Sequence, residues 1–332
     1  MRKHLPLLII FAIGLIVGAS SVWYRQSLRP LASEADERVL EIERGSGVAQ
    51  IARKLERDGL IRDALAFRVM LLLRSPQTQL QAGHYALSPT MTPWEIAQRL
   101  ASGEVATRRL TIPEGLTLEQ IADRVAQAEI AGRDEFLSAA VGARVAEDVE
   151  MPLPEGSLEG YLFPETYQFT YDEGAGAVVR QMVLELQERF WRPNREEIAD
   201  RGLSLHEIVT LASLVEREAK VDEERALIAG VIQNRLDRGM MLQIDATVQY
   251  ALGEHKQRLL THDTRVESPY NTYRNRGLPP GPIASPGLPS LMAALRPAQT
   301  DALFYVARPD GRHVFTRTNE EHERAKARIR GR

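Results

Sequence analysis

The sequence predicts an α+β protein that begins with a single membrane-spanning helix. Three observations support this prediction. An uncharged apolar run lies near the start, and a strand–turn–helix pattern occurs three times. A strongly apolar helix is predicted near residue 210, followed in the sequence by a mixture of helices, rigid loops and a hairpin. At 332 residues, the chain is long enough for a membrane segment and two or three modest domains.

The composition narrows the class of protein. With 44% hydrophobic and 26% charged residues, the chain is expected to fold rather than to remain disordered. A net charge of −3 gives no reason to expect a nucleic-acid partner. The absence of cysteine excludes disulfides, thiolate zinc sites and a cysteine nucleophile, and the 7 histidines show no HExxH spacing. We therefore expect neither a metal site nor a cofactor.

The N-terminal segment predicts a membrane anchor. Residues 1–4 are basic, and residues 5–24 form an apolar run that ends in Trp23 and Tyr24. This run is close to the length that a helix needs to cross a bilayer, and its flanks predict a cytoplasmic N-terminus. A cleaved signal peptide is the alternative, since Val17-Gly18-Ala19 resembles a cleavage site. Retention is favoured because the apolar run continues past that site, and residues 25–37 follow as a polar linker.

Residues 38–105 predict a small α/β module. A strand at 39–42 leads through a Gly-Ser-Gly turn into a helix at 48–55, and the strand–turn–helix pattern returns in the helices at 92–100 and 117–125, with further strands at 83–87 and 109–113. A capping Ser or Thr followed by Ile-Ala and a later aliphatic residue resembles a LysM module, a small fold that binds glycans containing N-acetylglucosamine. Any strand–turn–amphipathic-helix unit would share this pattern.

Residues 106–200 predict a connecting α/β region that forms part of a cleft. Gly and Pro residues between 152 and 167 indicate a constrained loop, followed by a helix at about 176–190. Within the loop, Tyr161 lies near Glu165 in a group of aromatic and acidic residues that suits sugar binding. The alternative is that the aromatic side chains pack this loop onto its neighbour.

The region 201–332 is predicted to be catalytic, and its central element is a helix at 204–220. Ser204 and Glu207 have the capping-box spacing at its start. A step of about 100° per residue places Glu216 on the apolar arc and Glu218 on the opposite, water-facing side. A partly desolvated carboxyl retains its proton more tightly, as an acid catalyst requires. The alternative for Glu216 is a partner in a buried ion pair.

Later elements complete this region. A helix at 223–238 carries Arg235 on its apolar arc, where we expect an ion pair with Asp245. A Pro- and Gly-rich run at 277–287 predicts a rigid loop along a cleft, residues 303–307 and 313–315 predict a hairpin, and a charged helix is expected from residue 319.

Seven motifs, in this order, resemble the endolytic murein transglycosylases, the MltG or YceG-like family of bacterial envelope enzymes. They are Ile-Pro-Glu-Gly at 112–115, Glu-Gly-Tyr-Leu-Phe-Pro-Glu-Thr-Tyr at 159–167, Ala-Ser-Leu-Val-Glu-Arg-Glu at 212–218, Asn-Arg-Leu at 234–236, Leu-Gln-Ile-Asp at 242–245, Tyr-Asn-Thr-Tyr at 270–273 and Gly-Leu-Pro-Pro-Gly-Pro-Ile at 277–283. The match covers about residues 38 to 320. Ala219 stands where the family pattern leads us to expect threonine.

The resemblance implies a single-pass protein of the bacterial inner membrane, with a LysM-like module and a catalytic domain in the periplasm. It implies endolytic cleavage of the β-1,4 bond between N-acetylmuramic acid and N-acetylglucosamine in nascent glycan strands. The products would carry 1,6-anhydro ends, strand elongation would stop, and peptidoglycan synthases (penicillin-binding proteins) would be partners. Glu216 is expected to be the lysozyme-like acid. The expected substrate-binding residues are Gln243, Asp245, Asn271, Tyr273, Tyr161 and Glu165.

A transglycosylase of this kind needs one proton-carrying carboxyl, because the C6 hydroxyl of the substrate itself attacks C1. We therefore expect Glu216→Gln to abolish anhydro products and Glu218→Gln to leave most of the activity. Two alternatives remain: a non-catalytic peptidoglycan-binding scaffold for the synthases, and a hydrolase that pairs Glu216 with Asp245 or Glu218.

Overall fold

The computed structural model describes residues 5–145, 147, 149–254, 256 and 259–331. The basic tip predicted at residues 1–4 lies outside this range. The fold is mixed α+β, and the chain divides into two compact units. Unit 1 comprises residues 1–108 and 170–172, and unit 2 comprises residues 109–169 and 173–332.

Unit 1 begins with a long apolar helix. Its elements are α1 (Leu5–Ser27), β1 (Arg38–Ile42), α2 (Val48–Arg57), α3 (Ala64–Arg74), β2 (Gly83–Leu87) and α4 (Pro93–Ser102). Within α1, the stretch Ile9–Ser27 is long and apolar enough to cross a membrane, and its most apolar 18 residues are not buried inside the protein as a core helix would be. This confirms the single N-terminal apolar helix expected from the sequence.

The rest of unit 1 packs around an antiparallel pair of strands. β1 pairs with β2 in a register that sets Arg38 opposite Leu87 and Ile42 opposite Gly83. Alternate residues of each strand point into the core, as period-2 burial requires. Helices α2, α3 and α4 cover this face, and α4 starts with a capping box between Thr92 and Glu95. The core side chains include Ile42, Ile51, Leu55, Phe67, Met70, Tyr85, Leu87, Ile96 and Leu100.

Unit 2 is mainly helical. Its elements are β3 (Thr107–Thr111), α5 (Leu118–Gln127), α6 (Arg133–Ala139), α7 (Gly142–Val145), β4 (Thr166–Thr170), α8 (Ala175–Leu186), α9 (Arg192–Asp200), α10 (Leu205–Glu218), α11 (Arg225–Asp237), α12 (Asp245–Leu252), α13 (Leu288–Leu295), β5 (Phe304–Ala307), β6 (His313–Thr316) and α14 (Asn319–Arg330). β3 pairs with β4, and β5 with β6. The chain passes between the two units at the ends of β3 and β4.

The helix predicted at 176–190 is longer in the structure. A π-helical turn at Gln187–Trp191 joins α8 to α9, so the chain remains helical past Pro193. Proline is accepted there because the π turn directly before it changes the hydrogen-bond pattern of the continuous helix at the point where the proline N–H is missing. The hairpin of β5 and β6 and the C-terminal helix α14 have the positions predicted from the sequence.

The centre of unit 2 is α10, which packs against α11, α12 and α13. Leu205 and all residues from Ile208 to Val215 are buried, so the helix is covered on nearly every side. Ser204 has the extended backbone of an N-cap, but its side chain makes no capping bond, and the predicted capping box is wrong. Ser204 and Glu207 are both exposed, where water can satisfy the same groups.

Candidate active site

Two glutamates at the C-terminal end of α10 have different surroundings. Glu216 Oε1 accepts a hydrogen bond from Arg225 Nη1 at 3.1 Å, and Oε2 accepts one from the backbone N–H of Gly287 at 3.0 Å. The Glu216 side chain is 7% exposed. Both oxygens are thus occupied by groups of the protein, which matches the ion-pair alternative considered for this residue.

Arg225 connects several elements around Glu216. Its Nη1 also donates to Ser290 Oγ at 2.6 Å, and its Nε donates to Asp222 Oδ1 at 3.1 Å. Because these partners lie on α10, α13 and the turn before α11, the guanidinium holds three parts of unit 2 together. A buried charge with several hydrogen-bonded partners is well compensated.

Glu114 lies beside this ion pair. The Glu114 carboxylate packs against Gly287, and a side chain at position 287 would collide with it. Arg225 Nη2 lies 4.0 Å from Glu114 Oε2. Burial and, secondarily, the negative charge of Glu216 raise the pKa of Glu114. The motif Ile-Pro-Glu-Gly therefore supplies a second carboxyl to the Glu216 cluster.

Glu218 differs in that no cation among the described residues forms an ion pair with it, although the positive charge of Arg217 tends to lower its pKa. The hydroxyl of Tyr305, on β5, donates to Glu218 Oε2 at 3.0 Å. Burial raises the pKa of Glu218 to about 7, and the negative charge of Asp245 acts in the same direction. The residue remains partly exposed. The prediction that Glu218 simply faces water is wrong, because the chain around Tyr305 covers that side of α10.

Two of the predicted substrate-binding residues, Asp245 and Tyr273, lie close to Glu218. Tyr273 donates its hydroxyl proton to Asp245 Oδ1 at 2.6 Å, and both side chains interact electrostatically with Glu218. Gln243, two residues before Asp245, is exposed. Its backbone N–H donates to the carbonyl of Thr272 at 3.1 Å. Its φ of 54° is unusual for a residue other than glycine. Strained residues of this kind concentrate at functional sites.

The other predicted binding residues lie elsewhere. Asn271 is fully buried and donates to the carbonyls of Thr264 and Val266, while its Oδ1 accepts from the N–H of Tyr273. These bonds shape the loop that carries Tyr273 and leave the amide no free group for a sugar.

Tyr161 and Glu165 are also separate from the Glu218 cluster. Tyr161 is buried, and its hydroxyl shares a hydrogen bond with His206 Nδ1 at 3.0 Å. Glu165 is exposed and forms an ion pair with Arg189 at 3.5 Å. For the aromatic residues of this loop, packing onto the core is what the structure shows, since Phe163 and Tyr167 are buried as well.

Arg235 is stabilised by carbonyls and not by the predicted ion pair with Asp245. Its Nε donates to Leu303 O at 2.6 Å and its Nη1 to Leu242 O at 2.7 Å. The guanidinium also lies 5.0 Å from the ring centre of Phe304. Asp245 accepts from Tyr273, and Arg235 links the residue before β5 to the loop that carries Gln243.

Glu159 belongs to the aromatic and acidic group of the loop at 152–167, but it was not selected as a site residue. It is 7% exposed, and both of its oxygens lie 3.1 Å from the N–H of Leu118 at the start of α5, while Tyr250 donates to it at 3.4 Å. Burial raises its pKa to about 7. Glu159 lines a groove of about 630 Å³ in unit 2. The groove's other walls include Thr117, Gln120, Arg217, Ala246, Gln249, Tyr250 and Ile283.

Sequence patterns contained little that could reveal these pairings. Glu218 and Tyr305 are 87 residues apart, and Glu159 and Tyr250 are 91 residues apart. The available signals were the Glu-Gly-Tyr motif for Glu159 and the second glutamate of the α10 motif for Glu218. Among the residues that the structure describes, no three His, Asp or Glu side chains come together in a way that would hold a metal ion.

Comparison with known proteins identifies the family. Residues 40–328 match the YceG-like family. An endolytic murein transglycosylase of Bacillus subtilis (strain 168) is 34% identical over 326 residues, which cover 94% of this chain and 90% of that protein. One from Streptococcus pneumoniae serotype 2 (strain D39) is 32% identical over 90% of this chain, which spans 59% of that longer protein.

A solved structure gives the same result. The crystal structure of a yceG-like protein from Listeria monocytogenes is 36% identical, with a TM-score of 0.59 over 88% of this chain and all of that one. The order of motifs, the sequence match over most of the length and the shared fold agree, and the chain therefore belongs to the YceG-like family.

Proposed function

We propose that this protein is a lytic transglycosylase that cuts peptidoglycan glycan strands internally. The bond cleaved is the β-1,4 bond between N-acetylmuramic acid and N-acetylglucosamine, and the new end is a 1,6-anhydro sugar. Support comes from the names of the relatives and from a carboxyl group suited to proton transfer at the end of α10.

We assign the proton-carrying role to Glu218. The observation that carries this assignment is that its carboxyl, beside Asp245 and partly exposed, has its pKa raised to about 7. Such an acid is loaded near neutral pH and still gives up its proton readily. Glu216, the residue predicted from the sequence, is the second candidate, but its two oxygens are already bonded to Arg225 and Gly287.

The proposed reaction needs only one such group. Protonated Glu218 gives its proton to the glycosidic oxygen as the bond from that oxygen to C1 breaks, and the strand beyond it leaves with a new hydroxyl. The resulting Glu218 carboxylate then takes the proton of the C6 hydroxyl while the C6 oxygen bonds to C1. The acid is thereby regenerated, and no water is consumed.

Residues beside Glu218 and in the loop before Asp245 have supporting roles in this scheme. Asp245, whose negative charge acts on Glu218, would stabilise the positive charge that develops at C1. Gln243, Asp245 and Tyr273 offer an amide, a carboxylate and a phenol that would bind sugar hydroxyls. Asn271 would act by fixing the backbone at Tyr273.

The test is product analysis by mass spectrometry after incubation of the purified protein with peptidoglycan glycan strands. Anhydro ends support the proposal. Reducing ends would indicate a hydrolase, with Asp245 as the group that activates water. Binding without any product would indicate a scaffold that positions the synthases.

For the remainder of the chain, we propose that α1 crosses the bacterial inner membrane once, with residues 1–4 in the cytoplasm and residues 25–332 in the periplasm. The module at 38–105 would bind N-acetylglucosamine-containing glycan, and the order β1–α2–α3–β2 is compatible with a LysM-like unit. Residues 106–200 and 201–332 would together form the catalytic part. The function would be to end the growth of nascent strands alongside penicillin-binding proteins.

A further inference from the structure

The surface of α3 exposes an unusual amount of apolar side chain. Leu65, Leu72 and Leu73 are 56%, 69% and 70% exposed, although other residues of the same helix, such as Phe67 and Met70, are buried in the core of unit 1. Large apolar side chains grouped on one helix face commonly mark an interaction surface.

The exposed residues form a face. Leu65, Val69 and Leu72 are separated by four and three residues, so they lie along one side of α3, and Leu73 extends that side at its end. Val48, at the start of α2, borders the same surface and is 37% exposed. We call Leu65, Val69, Leu72 and Leu73 the α3 face.

The end of α1 is fastened directly to the start of α3. Trp23 Nε1 donates to Asp63 Oδ2 at 3.2 Å, and Asp63 is the N-cap of α3, where its Oδ1 accepts from the N–H of Ala66 at 2.8 Å. Tyr24 and Leu28, at the end of α1 and just after it, pack against the core to which Phe67 belongs. The α3 face is therefore held near the point where the apolar helix ends.

The charges of α3 match those of an anionic surface. The helix contains Arg68 and Arg74 and no acidic residue. Arg62 precedes it, with its guanidinium bonded to the carbonyl of Pro30 at 2.8 Å, and Arg25 and Arg29 flank the end of α1. Arginines beside an apolar face are typical of helices that lie in a lipid headgroup layer.

We propose that α3 lies on the periplasmic surface of the membrane, with the α3 face inserted among the lipids that surround α1. This inference rests on the proposed anchoring of the chain by α1. The occupant of the apolar face is lipid, because the bond between Trp23 and Asp63 holds the start of α3 at the end of the membrane helix, and arginines lie beside both helices. The glycan-binding module would then be held flat against the bilayer.

The experiment uses nitroxide labels on the full chain in nanodiscs that contain anionic phospholipid. Since the chain has no cysteine, each label can be attached at a single introduced one. The test variants are Leu65→Cys and Leu72→Cys. The matched control is Gln98→Cys, at an exposed position on α4, and the anchor control is Ile13→Cys within α1.

Accessibility to oxygen, which concentrates in lipid, is compared with accessibility to a water-soluble nickel chelate. We expect the labels at 65 and 72 to favour oxygen, as the label at 13 does, and the label at 98 to favour the chelate. A label at 72 that behaves like the one at 98, while the label at 13 remains in lipid, would overturn the proposal for α3 alone.

Two other outcomes are equally informative. If the label at 13 is exposed to water, both the anchor and the α3 proposal are wrong. If the label at 72 is open to water in nanodiscs and becomes shielded only in native membranes, the α3 face binds a protein partner and the lipid proposal is wrong. No arm of this experiment depends on the proposed enzymatic activity.

Discussion

Glu216 and Glu218 are two residues apart on the same helix, yet their side chains have different partners. The first is compensated by a guanidinium and a backbone N–H. The second has a tyrosine hydroxyl and a neighbouring carboxylate, and its burial is not offset by a direct ion pair among its described contacts. Two carboxyls at the same end of one helix can therefore have partners of different charge, which helical spacing alone does not reveal.

The largest expected effect is on catalysis. Glu218→Gln keeps the shape of the side chain but removes the titratable proton, so we expect the rate of anhydro-product formation to fall about 10²- to 10⁴-fold. The matched control is Glu207→Gln, an exposed position on the same helix. A Glu218→Gln protein with near-normal rates, together with a folded but inactive Glu216→Gln protein, would return the acid role to Glu216.

The second effect is on stability. Replacement of Glu216 by Ala leaves the Arg225 guanidinium without its principal buried partner, and we expect a loss of about 3 kcal/mol in the free energy of unfolding. Urea unfolding followed by circular dichroism measures this loss. The Arg225→Met, Glu216→Met double variant should recover part of it, since the pair is then removed together. An unchanged unfolding curve for Glu216→Ala would show that the ion pair is not structural.

Glu159 extends the comparison to another carboxyl, which has no cationic partner among the residues that the structure describes. Its pKa rises from 4.5 to about 7 on folding, so the folded protein binds this proton more tightly than the unfolded chain does. The associated stability is complete below about pH 4.5 and is lost as the pH rises through 7, by at most about 3 kcal/mol.

The test is the unfolding free energy measured between pH 5 and pH 8. The native protein should lose more stability over this range than Glu159→Gln, in which the group cannot titrate. The difference between the two slopes isolates Glu159 from Glu218, whose raised pKa contributes in the same direction. Parallel slopes would contradict the prediction.

The smallest effect concerns the hydroxyl of Tyr305. Its hydrogen bond favours the charged form of Glu218, so Tyr305→Phe should raise the pKa of that carboxyl further. Because the acid must be protonated to act, activity of the native protein should decline above about pH 7, and the variant should decline at a pH up to about one unit higher. The pH profile of kcat/KM measures this shift, and a profile that does not move would place the Tyr305 bond outside the reaction.

Local patterns predicted much of the secondary structure. The capping Thr92 and Thr117 mark the starts of α4 and α5, and the turn at residues 309–312 marks the hairpin, because these signals depend on a few neighbouring residues. The surroundings of α10 were not predictable in the same way. A helical wheel places Glu218 opposite Glu216, but only the folded chain brings Tyr305 over it.

The same limit applies to Arg235 and to the predicted binding residues. An arginine on an apolar arc indicates that a partner exists, yet carboxylates and carbonyls satisfy it equally well, and the fold supplied carbonyls. Gln243, Asp245 and Tyr273 were selected from short motifs, and the structure brings them together. Asn271 comes from the same motif as Tyr273 but is turned inward, which spacing along a loop does not reveal.

The left-handed backbone conformation of Gln243 lowers the stability of the fold. A side chain in left-handed backbone costs about 1 kcal/mol or more relative to glycine, which adopts that conformation without penalty. Selection for stability alone would favour glycine at this position. If the Gln243 amide binds the sugar strand as proposed, replacement by glycine would stabilise the fold and weaken substrate binding, so engineering for heat resistance should leave this residue unchanged.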